Sequence, residues 1–548
     1  MYGNLKYLMI FISLLILIVA IATPSIRINL SPNLFIRLSA IIFIYAGSIA
    51  CNTFYIHSIE SGLGIYSGLY QVTAISQLID VLIYFTASLI LTAWPIFNKS
   101  TLEINYNSVY KTNENKVQNF NPCTEYSLIV MFSTLGASLL ISSADFISMY
   151  LSIELQSFGV YILSSLYRNS ESATSAGLKY FLLGGLSSCL ILLGIALIYS
   201  YSGLTSFESI YTLISVLYSD STNYSSVSTG IIYGLLLVII GLLFKIAAAP
   251  LHNWAPDVYD NSPTIVTIWL TIMPKISIII LLLEIVNGLN LNSTMLITNP
   301  LTNNIIYVYS FFEDKILEIK YLFLLCALLS LIIGTIVGLS QVKIKRLLAY
   351  STISHIGFIL LALSVNSIQS IEALIFYIIQ YTLTNLNTFL ILLALGYTIN
   401  RTNSLKFNNL INSDITLISQ LKGQFYSNPI LSISLSICLF SMAGVPPLLG
   451  FFSKYFVLYS AIFNGYYLIS IIAILASVIS ASYYLKIIKI LYTEDNKNSN
   501  IEYINEESVI SNLHSFLISS LTLIILLFIF KPTLILNSVQ LLSFTLFS

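Results

Sequence analysis

The sequence has 548 residues, 57% of them hydrophobic and only 8% charged, with 23 Lys and Arg balanced by 23 Asp and Glu. Soluble domains carry about 25% charged residues, so a chain this long with so few charges cannot cover a surface in water, and its solvent is lipid. The neutral balance gives no sign of nucleic acid as a partner.

Fourteen apolar runs are long enough to cross about 30 Å of hydrocarbon as helices. The first three, at 6–22, 34–50 and 78–97, form an N-terminal group within residues 1–97. Five follow at 126–142, 146–167, 175–202, 229–254 and 263–287, and five more at 320–340, 347–365, 370–398, 430–460 and 465–492. The last run, 512–535, lies in a C-terminal unit at 512–548. The connections at 98–125, 203–228, 288–318, 399–429 and 493–511 are rich in Asn and Ser, and none is a separate soluble domain. The first run ends in Ala20-Ile21-Ala22. A cleaved signal peptide needs positive charge in front of its apolar run, whereas Arg27 and Arg37 follow it, so this run is read as a helix.

The distribution of basic residues tests the helix count. With fourteen spans both termini share one side. The opposite side then collects sixteen of the 23 Lys and Arg residues, including Arg27, Arg168, Lys343, Lys345 and Arg346. The terminal side keeps four, Lys6, Lys315, Lys320 and Lys531; three, Lys245, Lys275 and Lys454, fall inside helices. Such a bias is the positive-inside rule. It assigns the lysine-rich side to the matrix or cytoplasm.

An internal repeat is visible. Leu243-Phe244-Lys245-Ile246-Ala247-Ala248-Ala249-Pro250 shares Leu, Phe, Ala and Pro, at equal spacing, with Leu439-Phe440-Ser441-Met442-Ala443-Gly444-Val445-Pro446. The copies lie five spans apart, so they cross the membrane in opposite senses. Inverted repeats of this kind are common in transporters, whose sites form where helices break. Pro250 and Pro446-Pro447 lie within long apolar segments, where proline removes a donor and leaves carbonyls that need partners or water. The predicted fold is therefore an all-α integral membrane protein of about 14 transmembrane helices, with an inverted repeat of five helices (126–287 and 320–492) and proline-broken helices.

The charges inside helices are the candidate site. Glu154, Lys245, Lys275 and Lys454 each cost at least about 2.5–3.5 kcal/mol to insert, so each needs a partner or water. The competing reading is a structural ion pair, or a lysine snorkelling from a helix end. A carboxylate beside a buried lysine holds its proton in place, and withdrawing it frees that proton to move. At an effective dielectric near 20, unit charges 4 Å apart interact by about 4 kcal/mol. Moving one charge against 100 mV takes about 2.3 kcal/mol. A switchable Glu154–Lys245 pair is therefore strong enough to gate proton transfer toward Lys275. His252 and His355 are further candidates as proton carriers, although a loop-facing or satisfied core histidine fits each equally well. Lys179 fits either a relay or a topology charge. Glu154 has no second deep carboxylate beside it in the sequence. The five cysteines and four histidines are scattered with no metal-ligand spacing, and no phosphate-binding loop or nucleophile motif is present.

Several of these motifs resemble one family. They are Leu243-Phe244-Lys245 through Leu251-His252-Asn253-Trp254-Ala255-Pro256-Asp257-Val258-Tyr259, Pro263-Thr264, Pro274-Lys275, Lys345-Arg346 through His355-Ile356-Gly357, and Gly444-Val445-Pro446-Pro447 through Lys454. Together, over about residues 120–495, the chain resembles the antiporter-like membrane subunits of respiratory complex I. The resemblance implies a proton-translocating subunit of NADH:ubiquinone oxidoreductase in the mitochondrial inner membrane, with both termini in the intermembrane space. It implies Glu154 and Lys245 as a coupling pair, Lys275 as a central relay and Lys454 as an exit-side station. It further implies no cofactor in this chain, with FMN, iron–sulfur clusters and ubiquinone on partner subunits. The partners it implies are other membrane-arm subunits, neighbouring antiporter-like subunits among them, and lipids. Two alternatives use the same residues: a free-standing cation/proton antiporter, and a scaffold subunit that pumps nothing.

Overall fold

In lipid a backbone donor or acceptor has no water to turn to, so apolar runs close as helices. The computed structural model describes residues 2–23, 32–56, 62–93, 122–167, 170–219, 225–289, 306–404, 414–493 and 510–547. The charge assignments to Arg27, Lys99, Lys111, Lys116, Arg168, Lys406 and Lys497 lie outside the described residues.

The N-terminal helices are α1 (Tyr2–Ala22), α2 (Pro32–Ile56) and α3 (Ala74–Thr92). The first half of the repeat contains α4 (Pro122–Ile141), α5 (Phe146–Ser164), α6 (Glu171–Ser202), α7 (Phe207–Ser219), α8 (Ser225–Ile246), α9 (Trp254–Asn261) and α10 (Thr264–Gly288). The second contains α11 (Ile306–Leu339), α12 (Ile344–Val365), α13 (Ile368–Ser404), α14 (Gln424–Ser427), α15 (Pro429–Ala443), α16 (Leu449–Phe463) and α17 (Tyr467–Tyr492). The chain ends with α18 (Asn512–Leu527) and α19 (Thr533–Phe547). Among the described residues twelve helices are long and apolar enough to cross a membrane. The α4 helix and the α15–α16 pair occupy the other two expected spans.

Local differences from the sequence reading have simple causes. The run 512–535 ends early, because Lys531-Pro532 interrupts it and α19 starts afresh. Residues 229–254 and 430–460 each split at their prolines. The α7 helix, and a hairpin pairing β1 (Leu63–Ile65) with β2 (Tyr70–Val72), are too short to register as spans.

Burial locates the core. In α10 and α12, 94% of the membrane window is buried, against 28% in α6 and α18. The two central helices are buried on nearly every side, whereas α17 presents Leu468, Ile471, Leu475 and Val478 as one exposed apolar stripe, the pattern of a lipid-facing helix.

Glycines set the close approaches within each half. A Cβ on Gly136 of α4 would lie 2.6 Å from the Gln156 backbone nitrogen of α5. A Cβ on Gly334 of α11 would lie 2.7 Å from the Ser354 nitrogen of α12. Only glycine admits such contacts, and the same contact recurs in the two halves. By this match Glu154 of the first half corresponds in position to Thr352 of the second.

The helix breaks also match, with a register one residue away from the sequence alignment. Ala247 ends α8 in the left-handed region (φ 65°) and Gly444 ends α15 there (φ 89°). In each case the following N–H bonds back to the helix, Ala248 to the Leu243 carbonyl and Val445 to the Phe440 carbonyl, both at 3.1 Å. Ala247 thus corresponds to Gly444, and Lys245 to Met442 rather than Ser441.

Lys6 requires a correction. It was expected to mark the terminal side of the membrane. Instead it is fully buried between helices, in an ion pair with the equally buried Asp80 of α3. It also donates to the Gln77 Oε1 at 2.9 Å, and the Tyr7 hydroxyl donates to Asp80 at 3.2 Å. An unpaired ammonium at that depth is too costly to leave without an acid, so this pair ties α1 to α3.

Candidate functional site

Glu154 faces inward from α5, and Lys245 lies in the last turn of α8. The Lys245 Nζ donates to the Glu154 Oε1 at 3.2 Å, with side chains 7% and 14% exposed. The Ser157 hydroxyl supports the carboxylate at 3.4 Å. Beyond the break, the Trp254 Nε1 donates to the Phe244 carbonyl at 3.0 Å and Tyr180 stacks on the Trp254 ring. Lys245, Tyr180 and Trp254 border a cavity whose polar lining includes Gln156, Ser157 and Ser187 and whose apolar lining includes Pro274. It has room for about one water molecule beside Lys245.

Lys275 is buried and has no acidic partner within 4 Å among the described residues. Its Nζ donates to the Thr352 hydroxyl at 3.0 Å and sits 5.4 Å from the Tyr259 ring centroid. In the turn before Pro274, the Thr271 carbonyl accepts from the Tyr381 hydroxyl at 3.0 Å.

Thr352 begins a stripe on α12. One turn on, the His355 Nδ1 lies 2.7 Å from the Tyr377 hydroxyl and its Nε2 lies 3.5 Å from that of Tyr484. Another turn on, the ring of Phe358 lies 5.6 Å from the Lys454 Nζ. Lys454 has turned back from α16 onto the end of α15, where it donates to the carbonyls of Met442 at 2.8 Å and Ala443 at 3.0 Å. Those carbonyls form the negative end of a helix dipole, so a cation rests there without a carboxylate.

Two candidate residues stand apart. The His252 Nδ1 lies 3.3 Å from the Pro250 carbonyl, within the break itself. Lys179 is half-exposed and pairs with Asp257 at 3.2 Å. Neither contacts Glu154 or Lys245.

The family described as NADH:quinone oxidoreductase/Mrp antiporter, TM, matches residues 143–302 and 291–480. The chain is 47% identical to NADH-ubiquinone oxidoreductase chain 2 of Rhizopus oryzae, over 98% of this chain and 100% of that one. The chain belongs to the NADH-ubiquinone oxidoreductase chain 2 family. It is also 36% identical to NADH-quinone oxidoreductase subunit N of Paramagnetospirillum magneticum, over 68% of each chain. Two solved structures share its fold. A chain of respiratory complex I from Thermus thermophilus with bound aureothin aligns at TM-score 0.69 and 22% identity, covering 97% of this chain and 99% of that one. A chain of the Mrp complex from Dietzia aligns at TM-score 0.72 and 17% identity, covering 99% and 97%.

This chain 2 family member also carries charged groups that its sequence did not single out. Asp80 is a further buried carboxylate, and it serves Lys6 rather than Glu154. Near the start of α12, Arg346 donates to Asp257, and Lys343 donates to Asp260 at 2.7 Å. Lys345 donates to the Ser262 carbonyl at 2.9 Å and also pairs with Asp414. Asp414 accepts from the Thr264 N–H at 3.0 Å and hydroxyl at 2.8 Å, at the start of α10. Burial alone would raise the Asp257 carboxyl, but its bonds to Arg346 and Lys179 outweigh burial and hold it below the ordinary carboxylate range. Asp257 and Lys345-Arg346 lie within the family motifs, so their presence was legible. Their pairing across 89 residues was not.

Proposed function

We propose that this chain is a proton-translocating membrane subunit of complex I in the mitochondrial inner membrane. Glu154 and Lys245 form a switchable pair. Lys275 receives the proton by way of the small polar cavity beside Lys245, and Lys454 is the station of the second half, with His355 between them. The lysine-rich side faces the matrix and the termini the intermembrane space. Flavin, iron–sulfur and quinone chemistry belongs to partner subunits.

One observation carries this reading. Buried polar groups occur in both halves of the repeat, from the Glu154–Lys245 pair and its cavity to Lys275, which bonds to Thr352 of α12, and on to His355 and Lys454. At 3.2 Å and an effective dielectric near 20, the Glu154–Lys245 attraction is about 5 kcal/mol. That exceeds the roughly 2.3 kcal/mol for one charge against 100 mV, so opening the pair is a sufficient gate.

In sealed vesicles, Lys245→Ala and Lys454→Ala should each lower the protons moved per NADH oxidised. NADH oxidation by ferricyanide, which bypasses the membrane arm, should stay at its original level. An assembled variant with an unchanged ratio would support the scaffold reading. Cation exchange by the purified chain alone in vesicles would support the free-standing antiporter.

A further inference from the structure

The eight-residue helix α9 touches both ends of the first transfer step. At its start, Trp254 bonds to the Phe244 carbonyl, one residue before Lys245. Near its end, the ring of Tyr259 lies beneath the Lys275 ammonium. Its two carboxylates, Asp257 and Asp260, point the other way, to Arg346 and Lys343 at the head of α12. That helix in turn supplies Thr352 to Lys275, six residues beyond Arg346 and so less than two turns further in.

We propose that the Asp257–Arg346 and Asp260–Lys343 pairs form a clasp that sets where α9 lies against α12, and so the spacing between Lys245 and Lys275. Asp257, Asp260 and Arg346 are positioning residues for that step. The broken backbone leaves α9 to be placed by its tertiary contacts, of which the clasp is the one that ties its polar face to α12. Residues 247–253 between α8 and α9 form no helix, so the helical ladder of α8 cannot fix α9. An eight-residue helix is also too short to hold its place unaided. The clasp joins the two halves of the repeat, because α9 belongs to the first and α12 to the second. A shift at the Glu154–Lys245 pair thus reaches the second half through a rigid element.

The inference rests on the proton-transfer reading above, and the experiment separates the two. In vesicles holding the assembled complex, Asp257→Asn and Arg346→Gln should keep NADH–ferricyanide activity while proton transfer per NADH falls. Small misplacements slow positioned reactions by up to about 100-fold, and roughly 10-fold is expected for the share carried by this chain. Arg346→Lys, which retains the charge, should recover part of the loss. Should the neutral variants fail to assemble, the unaltered complex serves instead. Raising salt from about 0.05 M to about 1 M shortens screening from over 10 Å to about 3 Å and should lower the ratio, because Asp257 and Arg346 are reached by solvent.

If Lys245→Ala lowers the ratio while Asp257→Asn and Arg346→Gln leave it unchanged, the clasp is overturned and the relay stands. An unchanged ratio at high salt overturns the clasp where the neutral variants do not assemble. If Lys245→Ala also leaves the ratio unchanged, both readings fall.

Discussion

Glu154→Gln alone should destabilise the assembled subunit by about 3–5 kcal/mol, and adding Lys245→Met should return most of that stability without returning proton transfer. The single change leaves a buried ammonium facing a neutral amide. Removing one partner of a buried pair costs about that much, whereas replacing both by neutral groups of similar size is often harmless. The Glu154 and Lys245 side chains are shielded enough for this rule to apply. The thermal midpoint of the purified complex, read beside proton transfer per NADH, separates the outcomes. A double variant no more stable than the single would mean that the pair is not the source of the loss. A double variant that still pumps at the original ratio would remove Glu154 and Lys245 from the mechanism.

Gly450→Ala should prevent the complex from accumulating. A Cβ there would lie 1.8 Å from the Ser441 carbonyl oxygen, which is backbone and has no rotamer to yield. The start of α16 would have to move away from the end of α15. That movement breaks the bond from the Gly450 N–H to the Ser441 hydroxyl at 3.1 Å and separates Lys454 from the Met442 and Ala443 carbonyls. Overpacking, a lost buried hydrogen bond and an exposed helix end act together, and more than about 4 kcal/mol is expected. Gly185→Ala is the comparison, since nothing lies within 4 Å of its Cβ and alanine favours the helix by about 0.5–1 kcal/mol. Native gels stained for NADH oxidation give the test. Equal bands for the two variants would refute the proposed interlock of α15 and α16.

These residues also mark where sequence reasoning succeeds. Spans follow from apolar length, breaks from Pro250 and Pro446-Pro447, and the candidate charges from the cost of inserting them. Partners are harder to read, because pairing depends on distance in space. Lys6 and Asp80 are 74 positions apart. Near a helix start Lys6 has the profile of an ordinary interface lysine, and only its depth reveals otherwise. Lys454 is hidden differently: its ligands are backbone carbonyls, which every residue carries and no motif records. The one-residue shift in the repeat has a similar origin. Side-chain identities favoured one alignment, while the caps, set by backbone conformation, follow another.

The Thr352–His355–Phe358 stripe places a limit on how this family can change length. These residues lie three apart on a helix that turns about 100° per residue, so each points about 60° from the one before and together they wrap from Lys275 round to Lys454. One extra residue between Thr352 and Phe358 would swing everything beyond it by that angle and aim Phe358 away from Lys454. The polar connections between spans can gain or lose residues without turning any helix. Length variation among relatives that keep the function therefore belongs in those connections, and this segment of α12 should keep a constant count even where its side chains differ.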